Sequence, residues 1–343
     1  MYQIEEIKNT ILCGDALLEL RKIPSESIDS IITSPPYWGL RDYGIEGQIG
    51  LEKTPEEYVA KMVEVFREVK RVLKKEGTVW LNLGDSYAGS GKGQFSDGEH
   101  DPKKNKTDGM KLENGIVPKG LKPKDLVGIP WRVAFALQAE GWYLRQDIIW
   151  HKPNPLPESV TDRCTKSHEY IFLLARSQNY YFDNEAIKEK AIYGLNSEDH
   201  RPPGIVRDRL YGYKSKEAKL RGRVVNETDN GITIRHPQGK HGNKQQSPKT
   251  LVDYRNKRSV WTVTTKPFKE AHFATFPEKL IEPMIQAGCP EKGIVLDCFM
   301  GAGTTAIAAK KLGRNFIGVE INPEYIKIAK SRLRAIQTNL FEV

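Results

Sequence analysis

Ile294-Val295-Leu296-Asp297-Cys298-Phe299-Met300-Gly301-Ala302-Gly303-Thr304-Thr305, followed at Phe316-Ile317-Gly318-Val319-Glu320 by a second apolar run ending in an acid, is the stretch that decides the fold. It reads as strand, glycine loop, helix, strand, acid. In open α/β sheets ligands bind at the carboxyl ends of strands. Gly301 to Ala306 formally matches G-x-G-x-x-G/A, a weak signal by itself. Asp297 sharpens it. A carboxylate at the strand's end repels a pyrophosphate and accepts hydrogen bonds from an ammonium group. Glu320, ending the next strand, suits the two hydroxyls of a ribose. A cofactor with a ribose and a cationic amino-acid tail fits this set: S-adenosylmethionine. Such a unit normally opens a nucleotide-binding sheet, yet here it comes last.

The other informative stretch lies near the front: Thr33-Ser34-Pro35-Pro36-Tyr37, directly after the apolar run Ile28 to Thr33. Two prolines stiffen a turn and remove two backbone donors. What remains is a set of acceptors, the Ser34 hydroxyl and the carbonyls of Ser34 and Pro35, suited to an NH₂ group. Tyr37, with Trp38 beside it, offers a flat ring for stacking a base. An exocyclic amino group is a poor nucleophile because its lone pair is delocalised into the ring. Acceptors that take both its hydrogens favour a pyramidal nitrogen, and these contacts strengthen as positive charge develops. Standing alone, the tetrapeptide reads better as a Pro-Pro loop with a core tyrosine.

The chain's 343 residues suffice for one large or two modest domains. No run of about 18 apolar residues predicts a membrane span, and Met1 to Lys8 does not resemble a secretory signal. Cys13, Cys164, Cys289 and Cys298 are scattered, so neither a disulfide framework nor a metal site is expected, and a cytoplasmic location fits. The net charge is +9. Between Glu185 and Arg258 there are 17 Lys/Arg against 9 Asp/Glu, so this window holds nearly all of the excess. Such a charge suits a polyanionic partner. A second polar stretch, Ser86 to Asp125, has nearly balanced signs and reads as a mobile loop.

Elsewhere strand-like and helix-like segments alternate, which predicts a mostly parallel α/β sheet. Strands are expected at 11–13, 28–33, 78–83, 146–150, 170–175, 294–297 and 316–320. Thr54-Pro55-Glu56-Glu57 reads as a capping box with Pro55 at the first helical position. Apolar residues recur from Tyr58 to Leu73 at helical spacing, and Gly77 ends the run. Further helices are expected at 129–140, 277–286, 304–312 and 323–335.

With these motifs in hand, the chain resembles the amino-methylating DNA methyltransferases of restriction–modification systems, in particular their permuted β group. There the catalytic motif comes first, the recognition region follows, and the cofactor motif is last. The resemblance covers nearly the whole chain except the basic window. It implies a seven-stranded methyltransferase sheet with helices on both faces, circularly permuted. Residues 1–184 and 259–343 would form the catalytic domain, and 185–258 an inserted target-recognition region. Thr33 to Tyr37 resembles the catalytic motif, with Ser34, Pro35, Pro36 and Tyr37 as its catalytic residues. Serine at its head is more typical of N4-cytosine than of N6-adenine enzymes, and N6-adenine remains the alternative.

The same resemblance implies a cofactor set of Asp15, Ala16, Thr33, Phe276, Asp297, Phe299, Met300, Gly301, Ala302, Gly303, Thr304, Thr305, Glu320 and Asn322. In it Cys13 to Leu17 corresponds to the adenine-contacting segment and Ala274 to Leu280 to the segment packed against the cofactor. Asp147 to Asn154 resembles a strand and loop near the target base. The implied partners are double-stranded DNA, from which the base must be extracted, and a cognate restriction endonuclease. Monomer and homodimer both stay open. Two other classes explain less. A nicotinamide oxidoreductase accounts for the glycine pattern but not for Asp297 or the terminal position of the unit. A non-catalytic DNA-binding protein accounts for the basic window but leaves Ser34 to Tyr37 without a purpose.

Overall fold

The computed structural model describes residues 1–40, 44–89, 117–191, 224–228, 231–235, 249–251, 254–265 and 276–340, with side chains omitted in 224–251 and 337–340. In chain order the elements are α1 (Ile4–Ile7), β1 (Thr10–Cys13), α2 (Ala16–Lys22), β2 (Ile28–Thr33), α3 (Pro55–Val72), β3 (Leu73–Leu83), α4 (Ile129–Ala139), β4 (Tyr143–His151) and β5 (His168–Ala175). There follow β6 (Glu189–Lys190), β7 (Val224–Thr228), β8 (Gly231–Arg235), β9 (Lys249–Leu251), β10 (Tyr254–Arg255) and β11 (Val260–Thr262). The last five are α5 (Glu278–Gly288), β12 (Ile294–Asp297), α6 (Thr304–Lys311), β13 (Asn315–Glu320) and α7 (Pro323–Leu340).

The chain divides into two compact units, one of residues 1–183 with 259–343, the other of residues 184–258. The first is built on a sheet of order β1-β13-β12-β2-β3-β5-β4-β11. All its pairings are parallel except those that β5 makes with β3 and β4. The fold is thus the expected α/β methyltransferase type, with eight strands rather than seven. The additional one is the short β11, which pairs Val260 to Thr262 with Ile149 to His151.

Central strands of such a sheet are buried on both faces, and β2 and β3 are so over Ser30 to Thr33 and Gly77 to Leu83. Ile31, Val79 and Leu81 face the core cluster made by Tyr58, Met62, Val65, Phe66 and Val69 of α3 with Val133 and Leu137 of α4. Ile32 and Trp80, one step along, face Leu280, Ile281 and Met284 of α5. This alternation is the period of two that a strand imposes. Thr54 caps α3 in a reciprocal box with Glu57, with Pro55 at its start. The helix ends earlier than its apolar spacing suggests. Leu73 continues the Val65–Val69 spacing, but it leaves the helix and pairs with Ile28, so β3 starts there.

The second unit contains an antiparallel pair, β6 with β10, and a three-stranded antiparallel sheet, β7-β8-β9. Glu189 bonds to the guanidiniums of both Arg255 (2.9 Å) and Arg258 (2.6 Å). Most of the 86–125 loop and of the basic window, and Ala274 and Thr275, lie outside the described residues. Among the described residues no helix is long and apolar enough to cross a membrane, and no cluster of His, Cys, Asp or Glu could hold a metal ion.

The box at Thr54 satisfies amides that the start of a long helix otherwise leaves open. Thr54→Ala is expected to lower the unfolding free energy by about 1 kcal/mol without changing the fold, measured as a shifted denaturant midpoint with the same slope.

Candidate active site

The two motifs, from opposite ends of the chain, meet at the centre of the sheet. β2 and β12 are parallel neighbours, so their carboxyl ends face the same edge. There the Thr33 hydroxyl donates to Asp297 Oδ1 at 2.7 Å, across 264 residues of sequence. The Thr305 hydroxyl donates to Oδ2 at 2.7 Å and the Phe299 amide to Oδ1 at 3.1 Å. Asp297 is 1% exposed. Burial pushes its pKa up from 3.8 to about 6, and these three bonds restrain the rise. The carboxylate therefore braces the glycine loop from behind.

The loop's inner surface is packed. Met300 is buried against Gly318, and its amide bonds the Val319 carbonyl at 2.9 Å. Ala302 and Thr304 are buried, and Arg332 bonds the Ala302 carbonyl and the Thr304 hydroxyl. Gly303 enters α6 at φ +82°, and a Cβ there would lie 2.7 Å from that of Ala329, so only glycine fits. Phe299 and Gly301 form the outer surface. They are half-buried, and beyond Gly301 there is open space. Glu320 Oε2 accepts from the Gly301 amide at 2.8 Å, and Oε1 from the Asn322 amide at 2.8 Å. Burial raises its pKa, and these two amides oppose the rise.

Next to Glu320, the β1 end pairs Cys13 with it in register, and the Gly14 amide bonds its carbonyl at 3.0 Å. Asp15 and Asn322 both act as helix caps: Asp15 Oδ1 accepts from Leu18 at 2.9 Å, and Asn322 Oδ1 from Glu324 at 2.9 Å. Ala16 is buried. Phe276 lines a small apolar cavity with Thr33, Asn82 and Trp80, so it too reaches this edge. A ribose-bearing, cationic ligand fits what is present: open backbone at Gly301, two strand-end acids, and a half-buried ring at Phe299.

On the target side, Pro35 is buried and Ser34, Pro36 and Tyr37 are half-buried. Tyr58, at the buried start of α3, donates to the Pro36 carbonyl at 2.9 Å and so fixes the turn. The Tyr37 ring lies against Gly84, where a Cβ would come within 2.5 Å of the ring. Its hydroxyl donates to Glu169 Oε2 at 2.8 Å and lies 3.1 Å from Asn82 Oδ1. Burial, then the charge of Glu169, raises the Tyr37 pKa well above 10, so the phenol is neutral. Ser34 Oγ lies 3.4 Å from both the Tyr37 hydroxyl and Asn82 Oδ1. Lys152 pairs with the other oxygen of Glu169. Trp38 is a correction. It is 6% exposed and its indole donates to the Glu52 carbonyl at 2.9 Å, so it is core and offers no stacking face.

Two residues of this network escaped the sequence reading, Asn82 and Glu169, whereas Lys152 falls in the Asp147 to Asn154 stretch. Asn82 was findable, as the one amide inside the apolar run of β3. Glu169 was hidden because β5 runs antiparallel, which puts its beginning, not its end, at this edge.

A parallel-rich sheet that brings a glycine loop, strand-end acids and a Ser-Pro-Pro-Tyr turn to one edge has the arrangement of a methyltransferase. The model of the N6/N4 DNA methylase family matches residues 28–331, and the chain belongs to this family; it is an S-adenosyl-L-methionine-dependent DNA methyltransferase. The type II methyltransferase M.Cfr9I of Citrobacter freundii is 42% identical over 334 residues, 97% of this chain and 90% of the relative. M.SmaI of Serratia marcescens is 42% identical over 323 residues, covering 94% and 90%. Among solved structures, the cytosine-N4-specific PvuII DNA methyltransferase superposes with a TM-score of 0.56 at 18% identity, over 94% of this chain and 84% of that one. A putative DNA modification methylase of Thermus thermophilus, complexed with S-adenosyl-L-methionine, gives 0.52 at 20% identity, over 94% and 91%. The two structural likenesses bear on the fold.

The buried acid has a consequence for stability. The native pKa of Asp297 exceeds its unfolded value, so the folded state holds this proton more tightly. That contribution is full below about pH 4 and is lost as the pH rises through about 6, a change of about 3 kcal/mol. In the ligand-free enzyme Asp297→Asn removes it. The stability of the variant relative to wild type is expected to increase between pH 4 and pH 7, measured by denaturant unfolding across that range. A difference independent of pH would contradict the assignment.

Proposed function

We propose that this chain transfers a methyl group to the exocyclic N4 amino group of a cytosine extracted from duplex DNA, as the modification enzyme of a type II restriction–modification system. The observation that carries the base choice is Ser34 at the head of the target-gripping turn, its hydroxyl set between Tyr37 and Asn82. The full-length likeness to type II methyltransferases supports the biological setting. A cognate endonuclease and a cytoplasmic location belong to the same reading.

In this mechanism Ser34 Oγ and the adjacent backbone carbonyls accept the amino hydrogens, which draws the nitrogen toward a pyramidal geometry and frees its lone pair. Tyr58 keeps the Pro36 end of the turn from yielding. The half-buried ring of Tyr37 stacks on the extracted base. S-adenosyl-L-methionine, when bound, supplies a methyl group activated on a sulfonium. Asp297 and Glu320 provide the negative field for its cationic part and its ribose. Phe299, Gly301, Asp15, Ala16 and Phe276 wall the site, while Met300, Ala302, Gly303, Thr304, Thr305, Thr33 and Asn322 hold the loop and strand ends in shape. Much of the acceleration comes from positioning.

The unit of residues 184–258 carries the DNA-reading role in this proposal. Its positive excess supplies phosphate contacts, and side chains within it read base edges. Replacing 185–258 with a short Gly-Ser bridge is expected to abolish sequence-specific methylation; methylation of the same sites by the truncated enzyme would overturn that role.

The base choice has a direct assay. DNA modified by the enzyme is digested to nucleosides and analysed by mass spectrometry. N4-methylcytosine is expected, and N6-methyladenine would replace it as the product if the target is adenine.

A further inference from the structure

Glu169 is the one side chain in the target-side network that can only accept hydrogen bonds, and together with the Tyr170 carbonyl it dictates where the protons of Asn82, Tyr37 and Ser34 go. Asn82 Nδ2 donates to the Tyr170 carbonyl at 3.1 Å, and a backbone carbonyl has no proton to give, so the Asn82 amide has one orientation. The same nitrogen donates to Glu169 Oε2 at 3.2 Å. The Tyr37 hydroxyl has a single proton, and the 2.8 Å contact with Glu169 Oε2 takes it. Asn82 Oδ1 and the Tyr37 oxygen are thereby left as acceptors, and both lie 3.4 Å from Ser34 Oγ. The Ser34 proton then turns inward to one of them. Its lone pairs turn outward, toward the position of the target amino group.

We propose that Glu169, held in place by Lys152, is a positioning residue that sets the hydrogen-bond polarity of the target site and makes Ser34 an acceptor. A serine hydroxyl can otherwise present either its proton or its lone pairs, and a proton aimed at an amino nitrogen opposes the reaction. Lys152 belongs to the device. It pairs with Oε1, leaving Oε2 to collect the Tyr37 and Asn82 protons. Its ammonium also sits over the Trp150 ring at 4.3 Å, and its amide bonds the Ser167 carbonyl at 2.7 Å, so both partners are anchored on adjacent strands.

The inference rests on reading Ser34 as the target-facing group, and the experiment separates the two. Glu169→Gln keeps the size and one acceptor oxygen but introduces two N–H donors. In single-turnover methylation at saturating DNA and S-adenosyl-L-methionine it is expected to slow methyl transfer by about 10- to 100-fold. Both dissociation constants should stay within about two-fold and the melting temperature within about 2 °C of wild type. A wild-type rate, a parallel loss of cofactor affinity, or a collapsed melting temperature would each overturn it, the last two by assigning Glu169 to packing. Tyr37→Phe removes one of the two acceptors that Glu169 orients. In that background Glu169→Gln should cost less than in wild type, and fully multiplicative losses would count against the shared mechanism. Ser34→Ala tests the underlying reading. If it transfers at the wild-type rate, the target-site assignment fails. If it is slow while Glu169→Gln is not, only the polarity role fails.

Discussion

The hydrogen bond from Thr33 to Asp297 is the contact on which this structure turns. It joins the end of β2 to the end of β12 and with them the two motifs that chain order keeps furthest apart. Burying a carboxylate without partners is costly, so the acid requires its three donors. One comes from the strand before the target turn, one from the loop and one from α6. Displacing any of these elements would leave a charge buried with fewer bonds. The target turn and the glycine loop are therefore fixed to each other through the acid. Since the relation is between strand ends, it does not depend on which motif the chain reaches first, and a permuted order is compatible with one site.

The elements of this fold were legible in the sequence wherever local chemistry and burial agree. The box at Thr54-Pro55-Glu57, the apolar strand before Asp297 and the glycine loop after it all lie where their residues predict. Legibility fails where tertiary pairing overrides local spacing. Leu73 keeps the helical period of α3 yet belongs to β3, because pairing with Ile28 claims it. Trp38 stands beside Tyr37 but turns inward, because the Glu52 carbonyl satisfies its indole and the core takes its ring. β11 is three residues long, too short for periodicity to identify.

The candidate site divides in the same way. The parts contributed by carboxyl ends of parallel strands were readable, because one rule covers them all. Glu169 was not. A strand's direction is decided by its neighbours, and no local feature of His168 to Ala175 announces that β5 runs against them. The two helix caps illustrate a further limit. Asp15 and Asn322 lie where the family resemblance puts cofactor residues, yet their side chains are engaged by the amides of α2 and α7. Polar residues at strand ends serve helix starts as readily as ligands, and spacing alone does not separate the two uses.

The two sides of the site also treat their carboxylates differently, and on the proposed reading the difference matches what each must hold. Asp297 is satisfied by hydroxyls and an amide, none of which cancels its charge. Burial makes it uneasy in the ionised state, with a pKa of about 6, and on the proposed reading a cation arriving at the loop relieves that unease. Glu169 is paired with a lysine, so its charge is already balanced, and its effect on the target side is directional rather than electrostatic in sign. A methyl donor of this class is cationic, whereas a nucleobase amino group is neutral and becomes cationic only as it reacts. An unbalanced carboxylate on the target side would draw cations to the place reserved for the base. A balanced one orders protons without doing so. On the proposed reading the same kind of group thus performs two tasks, and the counter-ion decides which.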